Sequence, residues 1–331
     1  MSKSTEENSG ITLVLENLDE ETIKTVATGK ALAQLVSVIA ASLRKSDYGR
    51  TRVVVTGDFI HSVNSRENRI GNEYTMERSG GIVAAKTMPP NTDGVVDILI
   101  PVHWLLPLES EESSLERDQY LLHLAAHEAI HVCLFHDGGE PFDVYRRRKY
   151  GGAVVQFMSM AGHQVEEHLA EYLSNQTTSA PWRTTPDQLP ASFEAWNKTL
   201  SEKLSVISNF DPDYHQKRMM ITLTALHDLW KVLSYYAAEL RTNDSFRSVP
   251  KSVTELEEWE IEVAPWWNEY TNLLSRIPMV TPVDTLATDK VTEEIGYLLQ
   301  RWAKGIGVDH HDTTEGGMVS AEARHILILR P

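Results

Sequence analysis

The stretch LERDQYLLHLAAHEAIHVCLFHDGG (115–139) decides the fold expected of this chain. Most of its positions between 121 and 134 are apolar, which predicts a helix that is buried on more than one face. Ser113 followed by Glu116 fits a capping box at the start of this helix, and the glycine pair at the end supplies a stop signal. We therefore predict a helix over about 113–135.

The polar side chains of this helix follow the pattern H-E-x-x-H, as His127, Glu128 and His131. Residues four apart on a helix lie on one face, about 6 Å apart along the axis, so both imidazoles can converge on one cation. Neutral imidazole suits Zn²⁺, and a catalytic zinc site needs three protein ligands and one open position. Glu128 is placed to act as general base on a metal-activated water. The motif predicts a zinc-dependent hydrolase.

A third metal ligand is expected in the segment GHQVEEHLAEYLSNQ (162–176), within a helix predicted over about 153–175. Its candidates are the glutamates and histidines of this segment, namely Glu166, Glu167, His163 and His168. Glu171, one turn after Glu167, suits a hydrogen bond that orients a ligand imidazole. His123, one turn before His127, lies on nearly the same face of its helix and can tune the site. The residues that could stabilise an oxyanion are Tyr214, His215, His227, Tyr235 and Tyr236, and the sequence does not rank them.

The run Glu167-His168-Leu169-Ala170-Glu171-Tyr172 resembles the E-G-F-A-x-Y segment of gluzincin peptidases, which are HExxH enzymes of the zincin class. On this resemblance Glu167 takes the position of the metal-binding glutamate, and His168 stands where the family has glycine. The likeness covers HEAIH (127–131) and about a dozen residues around Glu167. It implies a zincin-like metallopeptidase, with Glu167 as the third zinc ligand and a peptide or peptide-like amide as the substrate.

Strands are predicted before the motif helix and helices after it. The predicted strands are ITLVLE (11–16), TRVVVTGDF (51–59), GIVAAKTM (81–88) and VVDILIPVHWL (95–105). Pro101 indicates that the last of these strands is an edge or is bent there. By analogy with zincins, its place just before the motif helix suits the sheet edge that pairs with an extended substrate, but an ordinary core strand fits equally well. The later helices are predicted at about 191–208, 213–242, 252–276 and 287–304.

The predicted fold is α+β, a zincin-like mixed sheet with the HExxH active-site helix, followed by a mainly helical C-terminal domain. The Ser/Thr/Pro-rich linker 174–190 marks the boundary between the two. We expect a disordered N-terminus over 1–10, a catalytic domain over 11–180 and a helical domain over 190–331.

The composition favours a cytoplasmic protein. The net charge of −16, from 47 acidic and 31 basic side chains, disfavours binding to nucleic acid or to an anionic membrane. The start MSKSTEENSG lacks the pattern of a secretion signal, and no apolar run approaches the roughly 20 residues of a membrane span. The single cysteine, Cys133, excludes an intramolecular disulfide. Nothing in the sequence indicates the oligomeric state.

Two other functions fit the same residues. Two histidines and one carboxylate are also the ligands of non-haem Fe(II) oxygenases. A zincin-like fold can also serve as a non-catalytic binding or regulatory protein in which the metal only stabilises the helices. Glu128 favours hydrolysis, because an oxygenase has no need of a base beside its first ligand.

Overall fold

A computed structural model describes residues 10–67, 74–78, 81–107, 111–138, 144, 152–177, 188–207, 214–242, 244–280, 282–305, 308–313 and 316–321. The chain has an α+β fold with a small mixed sheet and a helical C-terminal region, which confirms the predicted class at this level. Except for Gly10, the N-terminus predicted to be disordered lies outside the described residues.

The chain divides into two units. The sheet unit takes the described residues within Met1–Arg78, Ile82–Gly138 and Leu173–Trp182. The helical unit takes those within Ser79–Gly81, Gly139–Tyr172 and Arg183–Pro331. The domain boundaries predicted from the linker composition remain a prediction.

The main sheet belongs to the sheet unit and has the strand order β1-β2-β6-β5. Strands β1 (Thr12–Glu16), β2 (Thr51–Thr56) and β6 (Val96–Pro101) are parallel, and β5 (Lys86–Thr87) runs antiparallel to β6 at one edge. Two further two-residue strands, β3 (Glu77–Arg78) and β4 (Gly81–Ile82), pair with each other outside this sheet.

Of the two alternatives left open for the segment 95–105, the structure shows the core strand and not the sheet edge. Strand β6 lies between β2 and β5, and all six of its residues are buried. Its apolar run is typical of a central strand that is covered on both faces. Pro101 is accommodated because it is the last residue of the strand. The edge strands of the sheet are β1 and β5, and the segment 81–88 contains only β4 and β5 rather than one continuous strand.

Helices of the sheet unit cover both faces of the sheet. Helix α1 (Glu20–Thr28) leads into α2 (Lys30–Ser42), and α2 packs with the motif helix α4 (Glu111–Asp137) in one hydrophobic core. Helix α3 (Phe59–Glu67) packs in a separate core that contains Leu99 of β6. The sheet therefore supports the motif helix on one face.

The motif helix α4 matches its prediction closely. It begins two residues earlier and ends two residues later than predicted, and Gly138 after it has φ +62°, a conformation that favours glycine. Every residue from His123 to Leu134 is buried. The side chain of Ser113, predicted to cap the helix, lies outside the described residues.

A network of buried and half-buried charges ties the sheet to α3. Arg52 of β2 donates to both oxygens of Asp97 of β6, each at 2.7 Å. Arg66 of α3 donates to Asp97 Oδ2 at 2.6 Å and to the Glu16 carboxylate of β1 at 3.0 and 3.1 Å. Burial opposes ionisation of Glu16, but hydrogen bonds from Arg66 and Ser62 hold the pKa of its carboxyl below the ordinary value. The network thus links all three parallel strands.

Among the described residues, the helical unit contains five long helices and one short helix. Two of the long helices are followed by short strands. The helices are α5 (Gly152–Thr177, which belongs to this unit as far as Tyr172), α6 (Gln188–Ser205), α7 (Tyr214–Leu240), the four-residue α8 (Lys251–Thr254), α9 (Ala264–Ser275) and α10 (Thr285–Gly305). The strands form the hairpins β7 (Arg241–Thr242) with β8 (Ser245–Phe246) and β9 (Val308–Thr313) with β10 (Gly316–Ala321).

One expectation for this region is wrong. The helix predicted over 252–276 is divided into α8, a π-helical turn at Trp259–Val263 and α9. Proline lacks a backbone N–H and is therefore favoured in a first helical turn, and Pro265 stands in the first turn of α9.

Aromatic side chains form the centre of the helical unit. The ring of Trp230 contacts those of Tyr270 and Trp302, with centroids 4.7 and 5.4 Å apart. Trp302 Nε1 donates to the carbonyl of Glu262 at 2.7 Å. The Glu262 side chain is buried, and this burial raises its pKa to about 7.

Among the described residues, no single helix has both the length and the apolar composition of a membrane span. Helices α1 and α2 reach that composition only when they are taken together, and they are bent by 63° at the break between them.

The charge network predicts a large cost for Asp97→Asn. The amide cannot neutralise Arg52 and Arg66, so we expect the free energy of unfolding to fall by roughly 3 kcal/mol. Urea denaturation followed by circular dichroism measures this change. Asp93→Asn in the exposed turn is the matched control and should change stability by less than about 0.5 kcal/mol. Equal effects of the two substitutions would contradict the role of the network.

Glu262 predicts a pH-dependent stability. Its carboxyl has a pKa of about 7 in the folded chain against an ordinary value of 4.5, so the native state binds the extra proton. The free energy of unfolding should therefore fall as the pH rises from about 4.5 to 7, by at most about 3 kcal/mol. Glu262→Gln should remove this loss, so that the variant is more stable than the parent at pH 8 but not at pH 4.5. Glu260→Gln, on the exposed side of the same turn, should not.

Candidate metal centre

The two motif histidines of α4 have the spacing that a shared metal ion requires. His127 Nε2 and His131 Nε2 lie 3.1 Å apart, and both side chains are buried. Two nitrogens bound to one tetrahedral zinc ion at 2.0–2.1 Å are separated by about 3.3 Å. The helical spacing of four residues therefore brings the rings together as the sequence predicts.

The carboxylate of Glu128 is held by the edge strand of the sheet. Thr87 of β5 donates its hydroxyl to Glu128 Oε2 at 2.7 Å and lies 3.0 Å from the Glu128 carbonyl oxygen. The side chain of Glu128 is buried. The sequence analysis did not predict the role of Thr87, because Thr87 and Glu128 are 41 positions apart and no local pattern indicates their contact.

The carboxylate of Glu167, on α5, is held by two residues one turn apart on α7. Tyr235 donates its hydroxyl to Glu167 Oε2 at 2.7 Å, and Lys231 Nζ pairs with Oε1 at 2.5 Å. The Lys231 side chain is 38% exposed, so its ammonium is partly solvated. Tyr235 is one of the residues that the sequence proposed as an oxyanion donor, and it contacts the predicted ligand.

Histidines and glutamates of the motif segments form two groups that could hold a metal ion. The ligand atoms of His127, His131 and Glu167 all lie within 4.8 Å of one another. The ligand atoms of His123, His127 and Glu171 do the same, and all five side chains are buried. Imidazole and carboxylate suit Zn²⁺ and also Fe²⁺. The donor set therefore fits a transition metal without selecting one.

The other candidate ligands have different surroundings. His168 is fully buried, its Nδ1 lies 3.1 Å from the Ser234 carbonyl oxygen, and burial lowers its pKa to about 3. The ring of His163 lies against that of His227, with centroids 5.3 Å apart. Glu166 is buried but belongs to neither metal-binding group. The side chain of His215 lies outside the described residues.

Comparison of this chain with protein-family models, with curated proteins and with solved structures found no match. The gluzincin resemblance therefore remains a prediction that rests on the two short segments themselves.

We expect His131→Ala and Glu167→Ala to lower the affinity for zinc by at least about 100-fold, because each removes a direct ligand. Zinc titration by isothermal calorimetry and metal analysis of the purified protein measure this effect. His61→Ala and Glu202→Ala, which change exposed residues of the same types, should bind zinc like the parent.

Binding of the ion by the second group would change which substitutions lower the affinity for zinc. If Glu171→Ala loses zinc while Glu167→Ala keeps it, the ion is held by His123, His127 and Glu171 instead. Full zinc binding by His131→Ala would contradict the predicted centre as well.

Proposed function

We propose that this protein is a zinc-dependent metallohydrolase that cleaves an amide bond in a peptide or peptide-like substrate. The observation that supports it best is the Glu128 carboxylate, which is buried beside the paired imidazoles of His127 and His131 and oriented by Thr87. A site that only stabilised two helices would need the imidazoles but no oriented carboxylate between them. A bound zinc ion would supply Lewis acidity for the carbonyl oxygen and for a water.

The proposed roles of the residues follow from their chemistry. His127, His131 and Glu167 would hold the ion, and the carboxylate of Glu128 takes a proton from the water that attacks the carbonyl carbon. Glu128 then gives this proton to the leaving nitrogen, so the carboxylate is regenerated. The hydroxyl of Thr87 keeps one oxygen of Glu128 fixed, which holds the other in a constant orientation.

Strand β5 is the proposed docking edge for the substrate. It forms the antiparallel edge of the main sheet, and its Thr87 contacts Glu128. An extended peptide that added to this edge would run beside the proposed base, with backbone hydrogen bonds for affinity. The sequence offers this role as one of two alternatives for the segment 95–105.

The proposed role of Glu128 as general base predicts the effect of Glu128→Gln on activity. We expect turnover of a quenched-fluorescence peptide library to fall by about 10²–10⁴-fold, because the amide cannot accept the proton. Zinc content and the melting temperature should stay near those of the parent. Glu116→Gln, an exposed position on the same helix, is the matched control and should keep full activity.

Other results would replace the proposal. Iron in protein purified without added metal, together with an oxygen requirement for activity, would identify an Fe(II) oxygenase. Full biological function of the Glu128→Gln variant would identify a non-catalytic binding or regulatory protein.

A further inference from the structure

Arg241 is a buried cation of the helical unit. Only 2% of the residue is exposed, and its guanidinium caps the end of α9. Nη1 donates to the Leu274 carbonyl at 2.8 Å, and Nη2 donates to the carbonyls of Ser275 at 3.0 Å and Ile277 at 3.3 Å. The ring of Tyr172 faces the guanidinium, with 5.3 Å between its centroid and Cζ. The cation is therefore held rigidly in one place.

The charge of Arg241 is only partly compensated. Its carboxylate partner, Asp244 at 3.2 Å, has a side chain that is 78% exposed, so water weakens the attraction. The carbonyls at the end of α9 contribute only a fractional negative charge. Nε is buried and has no hydrogen-bond partner among the residues that the structure describes. Burial lowers the pKa of Arg241 despite the hydrogen bond to Asp244, as expected of an incompletely neutralised cation.

A cavity of about 500 Å³ lies against this guanidinium. It is lined by Arg241, Tyr172, Asp244 and Ser275, and by an apolar wall of residues 277–280. Arg276 also lines the cavity and brings a second guanidinium, which pairs with Glu294 on the exposed surface. The cavity thus combines two cations, an aromatic ring and an apolar wall, and it is larger than a bare anion requires.

We propose that this cavity binds a small molecule that carries a phosphate or carboxylate group, with the anionic oxygens against Arg241 and Arg276. Guanidinium groups match both oxyanions. The side chain of Arg276 is 44% exposed and can donate to the anionic oxygens, while Arg241 adds a buried positive charge behind them. The apolar wall receives the rest of the ligand. This site does not depend on the proposed hydrolase activity.

The test is calorimetric titration of the full-length protein with inorganic phosphate and, separately, with acetate. Arg241 also caps α9, so its replacement can unfold the unit, and Arg276→Gln therefore carries the test. We expect this variant to bind the preferred anion about tenfold more weakly than the parent, which is the loss of one charge-assisted hydrogen bond. Arg301→Gln is the matched control, because Arg301 is likewise half-exposed and paired with a surface carboxylate, Glu269.

Saturable binding that Arg276→Gln weakens and Arg301→Gln leaves unchanged supports the site, and the tighter of the two anions identifies the ligand group. Lack of saturable binding for both anions overturns the proposal. Equal weakening by the two substitutions also overturns it, because the anions would then respond only to the surface charge of the protein.

Discussion

The motif helix is buried at every residue from His123 to Leu134, and this burial constrains the chemistry of the whole centre. Three imidazoles and one carboxylate lie within that stretch. Buried polar groups are costly unless they are hydrogen-bonded or bind an ion. The short distance between His127 Nε2 and His131 Nε2 and the hydrogen bond from Thr87 to Glu128 meet this requirement. A metal ion bound by the imidazoles would further offset the cost of burying them.

The position of Thr87 depends in turn on the sheet. Thr87 pairs with Ile98 of β6, and the next residue, Met88, donates its N–H to the Asp97 carbonyl at 2.8 Å. The side chain of the same Asp97 binds Arg52 and Arg66. The charge network therefore anchors the strand whose neighbour orients the proposed base. These contacts link Asp97 of the central strand β6, through Thr87, to the orientation of the Glu128 carboxylate, which is the proposed proton acceptor.

Short-range patterns in the sequence predicted part of the fold. The apolar run with His127, Glu128 and His131 gave the motif helix to within two residues at each end, because helix periodicity and glycine stop signals are short-range. The order of strands could not be predicted in this way. Pro101 left open whether β6 is an edge strand or a core strand, because its place is set by pairing with both β2 and β5. Thr87, Tyr235 and Arg241 were missed as partners because their contacts join distant positions.

Anomalous diffraction at the zinc absorption edge tests the central claim most directly, since it locates the ion and its ligands in one map. We expect one peak about 2.0–2.2 Å from His127 Nε2, His131 Nε2 and a carboxylate oxygen of Glu167, with Glu128 near the ion but not bound to it. A map without that peak, in a crystal grown with zinc, would contradict the proposed zinc centre. So would imidazoles of His127 and His131 that point away from each other.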